Sequence, residues 1–70
     1  MTNQESIAAG RRLKSYRTKA GLTQAALAKK ASINTNAYAK IERGESQPTT
    51  ETLKKLAKAL DLVVSDLLGA

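Results

Sequence analysis

Three residues, Ser32-Ile33-Asn34, constrain this chain more than any other part of it. They separate two segments that each read as a short capped helix, "TQAALAKKA" and "TNAYAKIERG". Thr23 is placed to cap the first, and Leu22 and Leu27 stand at the N′ and N4 positions of a hydrophobic staple. Asn34 is placed to cap the second, with Ile33 and Tyr38 as its staple. The first of these helices is expected to end at Ala31. The second is expected to run from Thr35 to about Arg43, where Gly44 stops it. So short a link between two caps leaves no room for a wandering loop, and the helices must cross sharply.

The rest of the chain is also helical in pattern. Ala9, Leu13, Tyr16 and Ala20 recur at helical spacing and predict one buried stripe ahead of Gly21. Pro48 precedes Thr49, the expected N-cap of a fourth helix, and Glu51 favours that helix's dipole from its first turn. Leu53, Leu56, Ala57 and Leu60 form its apolar stripe, Lys54, Lys55 and Lys58 point the other way, and Asp61 ends it. "LVVSDLLGA" predicts a last turn or two of helix that closes the core. No segment reads as a strand. The expectation is an all-α chain, one domain over residues 1–70, with a helix-turn-helix at about 23–43.

Charge points to a partner. Residues 1–47 carry nine basic groups against three acidic ones, whereas residues 48–70 carry three of each, so the whole net charge of +6 lies before Pro48. That asymmetry fits a polyanion contacted by the first two thirds of the chain, although a solvated basic surface alone would account for the total. There is no cysteine and no histidine, which excludes disulfides, zinc sites built on either residue and catalysis by either. No run of about 18 apolar residues exists to span a membrane, and the first ten residues lack the features of a secretion signal. A soluble cytoplasmic protein is expected, with no cofactor and no metal.

The third helix has two chemically distinct faces. On a helical wheel Asn34, Tyr38 and Ile41 fall within about 60° of one another and form the expected buried side. Thr35, Asn36, Ala39, Lys40 and Arg43 share the opposite side, which has two cations and no acid. Asn and Thr are poor helix formers, so helix stability does not explain them. The same residues suit a DNA major groove: Asn bonds a base edge, Thr offers a hydroxyl and a methyl, Ala meets a thymine methyl, and Lys reaches guanine or a phosphate. Thr23 and Gln24 begin the preceding helix, where an anion is favoured. Gln24 is expected to bond a phosphate and to brace the start of the third helix.

These residues resemble the lambda-repressor/Cro-type helix-turn-helix family, also called the XRE family of DNA-binding transcriptional regulators. The matching elements are Leu22-Thr23-Gln24, Leu27-Ala28, Ile33-Asn34, Ile41-Glu42-Arg43-Gly44, Pro48 and "TLKKLAKAL", at the family's spacing over most of the chain. The resemblance implies a compact five-helix lambda-repressor-like domain with the third helix as recognition helix. It implies base contacts from Thr35, Asn36, Ala39 and Lys40. Phosphate contacts would come from Thr23, Gln24, Arg43 and backbone amides from Gly44 to Ser46. It also implies a structural ion pair between Arg17 and Glu42, and helical wheels independently put both at the edge of the core. Family members typically bind two-half-site operators as dimers, and Val63, Val64 and Leu67 are the expected dimer contacts. Three positions depart from the family pattern: Ser32 stands where Gly is usual, Asp61 where Gly or Asn often ends the fourth helix, and Val63 where a capping Ser is usual.

The leading reading is a sequence-specific, double-stranded-DNA-binding transcriptional regulator, a small Cro-like repressor encoded by a prokaryote or phage. A chain of 70 residues is expected to carry no sensing or catalytic domain, unless it is a domain excised from a longer protein. The alternative is an antitoxin or other protein-binding module that uses the same domain. An enzyme would have to rely on Glu42, Glu45, Asp61 and Asp66, which show no paired spacing. Stacking on single strands is disfavoured, because Tyr16 and Tyr38 both lie on buried stripes.

Overall fold

The computed structural model of the chain describes residues 4–69. Five helices follow one another: α1 (Gln4–Lys19), α2 (Gln24–Lys30), α3 (Thr35–Glu42), α4 (Thr50–Ala59) and α5 (Val64–Leu68). No strand occurs among the described residues. No helix among them is long and apolar enough to cross a membrane.

One joint is used three times. Gly21-Leu22-Thr23, Ser32-Ile33-Asn34 and Asp61-Leu62-Val63 each place a residue with positive φ, an aliphatic residue and an N-cap in that order. The first residue ends the preceding helix in a left-handed turn. In the central joint the Ser32 N–H donates to Lys29 O (3.1 Å) and the Ile33 N–H to Ala28 O (2.9 Å), so carbonyls left over by α2 are satisfied. The aliphatic residue packs on the core, as Leu22, Ile33 and Leu62 all do. The cap then opens the next helix: Thr23 Oγ1 accepts from the Ala26 N–H, and Asn34 Oδ1 from the Ala37 N–H, both at 3.0 Å. Val63 has no polar group to offer. There the Asp66 carboxylate instead accepts the Val63 N–H at 3.1 Å, so α5 starts at Val64 with half of a reciprocal cap. Ser32 (φ 59) and Asp61 (φ 60) therefore adopt the conformation expected of glycine.

Leu13, Leu27, Tyr38, Leu56 and Leu67 are fully buried and tie all five helices to one core. Several expectations need correction. Ala20 is exposed, because α1 ends at Lys19 and Ala20 falls in the turn beyond its stripe. Asn34 is exposed, because its side chain turns along the chain to cap α3 instead of entering the core. Arg43 is the C-cap of α3, not part of the helix.

Candidate nucleic-acid interface

The α3 helix presents Thr35, Asn36, Ala37 and Lys40 to solvent, with Ala39 half-buried beside them. Its other side buries Tyr38, Ile41 and Glu42. Ala37 was not singled out on the wheel, where it lies next to Ile41; its place within three residues of Lys40 is the signal that would have found it. Lys40 makes no ion pair among the described residues. Arg43 is exposed, but its Nε lies 2.7 Å from the Glu45 carboxylate, so the acid-free face of α3 has an acid at its rim. The hydrogen bond between these two raises the Arg43 pKa and lowers that of Glu45.

A polar clamp sets the tilt of α3. The Arg17 guanidinium grips both oxygens of Glu42, with Nε to Oε2 and Nη2 to Oε1 each 2.8 Å. Its Nη1 donates to Leu22 O at 2.7 Å, which fastens the first joint to the same group. Gln24 Nε2 donates to Glu42 Oε1 at 3.1 Å. One carboxylate at the end of α3 thus holds α1, the α1–α2 joint and the start of α2. Desolvation is the largest influence on the Glu42 carboxyl and pushes its pKa up. Hydrogen bonds from its neighbours, Arg17 foremost, together outweigh that and leave it below the usual carboxylate range. The Glu42 hydrogen bond likewise raises the Arg17 pKa against its desolvation. Burial, and then the nearby Glu42 carboxylate, hold the Tyr38 hydroxyl well above its ordinary range. That hydroxyl is close enough to feel the carboxylate but has no hydrogen bond of acceptable geometry.

The helices α1 and α3 approach closely through Gly10, which the apolar stripe of α1 did not single out. A Cβ there would meet the backbone carbonyls of Glu42 and Ile41, the latter at 2.6 Å. A glycine inside a helix costs about 1 kcal/mol relative to alanine, and that cost was its available signal.

The clamp corrects the expected role of Gln24, which braces the end of α3 through Glu42 and not its start. Its second amide N–H is not used by that bond. Thr23 accepts a bond from Ala26 and keeps its own hydroxyl proton for another partner. Gly44 does not fit an amide donor to phosphate: it is buried, with Ile7 Cα 2.9 Å from where its Cβ would stand, and its N–H donates to Ile41 O at 3.0 Å. The Glu45 N–H likewise donates to Lys40 O at 2.9 Å. Ser46 is exposed in the loop that follows. Leu67 is fully buried within the chain, so it is removed from the expected dimer contacts; Val64 is half-buried and Val63 is 63% exposed. Leu68, on the same short helix, is 53% exposed. No three carboxylates gather into a metal-binding group among the described residues.

The helix-turn-helix family HTH_3 matches residues 13–67. The chain is 40% identical over 60 residues to the immunity repressor protein of Bacillus phage phi105, an alignment that covers 86% of this chain and 42% of that protein. Its fold is similar to that of the restriction-modification controller protein C.AhdI from Aeromonas hydrophila, with a TM-score of 0.91 and 31% identity over 93% of this chain and 98% of that one. It is also similar to the biofilm master regulator SinR, solved in complex with DNA, with a TM-score of 0.83 and 34% identity over 86% and 97% of the two chains. The chain spans about half the length of the curated relatives it matches. A family match over most of the sequence, the repeated joints and the clamped third helix agree: the chain belongs to the helix-turn-helix family of lambda-repressor/Cro type.

Proposed function

We propose that the chain is a sequence-specific, double-stranded-DNA-binding transcriptional regulator of the repressor type, acting in the cytoplasm of a prokaryotic or phage-infected cell. The observation that carries this reading is the exposed face of α3. Thr35, Asn36 and Lys40 stand in solvent on a helix whose opposite side is locked by Tyr38, Ile41 and the Glu42 clamp. Side chains that read base edges act from a rigid support, and this one is fixed at both ends. In this reading α3 enters the major groove, where Asn36 and Lys40 hydrogen-bond base edges and Thr35 and Ala39 add hydroxyl and methyl contacts. The Thr23 hydroxyl, the remaining Gln24 amide proton, Arg43 and Ser46 contact phosphates along the flanking backbone. The similarity to a regulator solved with DNA supports the assignment. Two copies would bind a palindromic operator with recognition helices about 34 Å apart, one turn of DNA.

Selection of bound sequences from a random duplex pool tests the proposal. The expected product is a symmetric pair of half-sites. Enrichment of no sequence, with binding that depends on salt alone, would overturn it. Two variants then separate the contacts. Asn36→Ala is expected to relax preference at one base pair, with a loss of about 1–3 kcal/mol. Arg43→Ala is expected to weaken all sites alike and lower the salt slope by about one.

A further inference from the structure

A second basic surface lies between α2 and α4. Lys30, Ala31 and Ser32 on one side and Lys55, Lys58 and Ala59 on the other enclose a groove of about 380 Å³ between α2 and α4. Ala31 and Ala59 are buried and give the groove an apolar floor. No acid lines it, and none of its three lysines makes an ion pair among the described residues. Lys30 and Lys58 sit in or beside last helical turns, where a cation suits the helix dipole. Lys55 lies in the middle of α4 and has no such reason to be there. The α2 helix packs on both α3 and α4, and the groove lies where the end of α2 and its joint to α3 meet α4. Along α2, Lys30 is also about 9 Å from Gln24.

We propose that this groove docks an acidic amphipathic segment of another protein, its carboxylates on the three lysines and an apolar side chain on the alanine floor. Charge complementarity selects the partner's sign, and the concavity selects its shape.

The test is an NMR titration of the isotope-labelled full chain at low salt. The probe is a synthetic amphipathic helix with leucines on one face and glutamates flanking them. The expected result is a saturable shift of the amides of Lys30, Ser32, Lys55 and Lys58. That shift should be lost in the double variant Lys55→Glu, Lys58→Gln, whose thermal melt reports that it remains folded. A peptide with the glutamates replaced by glutamines should not bind. Shifts confined to Lys40 and Arg43, or no saturable shift, would overturn the proposal. So would equal shifts of the groove amides by a short DNA duplex, which would make the groove a further nucleic-acid contact.

Discussion

Glu42 is the residue on which most of the molecule converges. Its side chain is 4% exposed and that of its partner Arg17 is 11% exposed, so each depends on the other for solvation. Removing one partner leaves a buried charge unanswered. Arg17→Ala is accordingly expected to cost about 3–5 kcal/mol by urea denaturation. Replacing both residues by apolar ones of similar volume should cost much less than either single change, since the pair need not add net stability. The carboxyl also links stability to pH. Its pKa is lower in the folded protein than in the unfolded chain, so its contribution is complete above the ordinary carboxylate value of about 4.3 and is lost as pH falls through the folded value. Thermal melts from pH 7 to pH 3 should show this pair failing only below about pH 4.3, and Glu42→Gln should flatten the acid limb. Glu45→Gln removes a carboxyl whose pKa is also lowered but which lies in solvent, and should alter that limb far less.

The joints and the α1–α3 contact carry the predictions at the scale of elements. Ser32 holds a left-handed conformation that costs a non-glycine residue about 1–2 kcal/mol. Ser32→Gly is expected to stabilise the chain by somewhat less, about 1 kcal/mol, because glycine also loses more entropy on folding. No rise in the denaturation midpoint would show that the serine hydroxyl compensates the strain. Gly10 behaves in the opposite sense. Alanine improves helix propensity by about 1 kcal/mol, but its methyl would strike two backbone carbonyls that cannot move independently of α3. Gly10→Ala should therefore destabilise by about 1–3 kcal/mol and weaken DNA binding as well, since it displaces the helix that the clamp positions. A variant with unchanged stability and affinity would show that α1 and α3 can separate freely. The glycines at 21 and 44 were legible as stops in the sequence. The left-handed turns at Ser32 and Asp61 could be read only through the family resemblance, because neither residue announces positive φ by itself.

At the scale of the whole molecule, α5 is the element that ends unfinished. Leu67 completes the core, while Val63 and Leu68 remain in solvent on a five-residue helix. If two copies assemble on an operator through this helix, Leu68→Glu should leave the monomer folded and shift sedimentation at high concentration towards the monomer. It should also abolish cooperative binding to the second half-site. A dimer that survives both Leu68→Glu and Val63→Glu would place the contact elsewhere. The five apolar residues of the C-terminal run could not be sorted from sequence. A helix of so few residues has no periodicity to decide which side faces in, and only packing against α1 and α4 chooses Leu67.

Local chemistry, then, determined how many helices form, where they start and which face of α3 is left for a partner. Staples and caps act within four residues of one another, so the order of residues specifies them directly. The tertiary structure decided what depends on distant segments meeting. It assigned the second partner of Glu42 to Gln24, because α2 and the end of α3 are brought together only by the sharp turn at Ser32. It required a glycine at position 10, because two backbones touch there. It turned the Gly44 amide inward, and it assembled three lysines from α2 and α4 into one groove. Those are contacts between residues far apart in the chain, and no periodicity along one helix encodes which residue of another helix will lie against it.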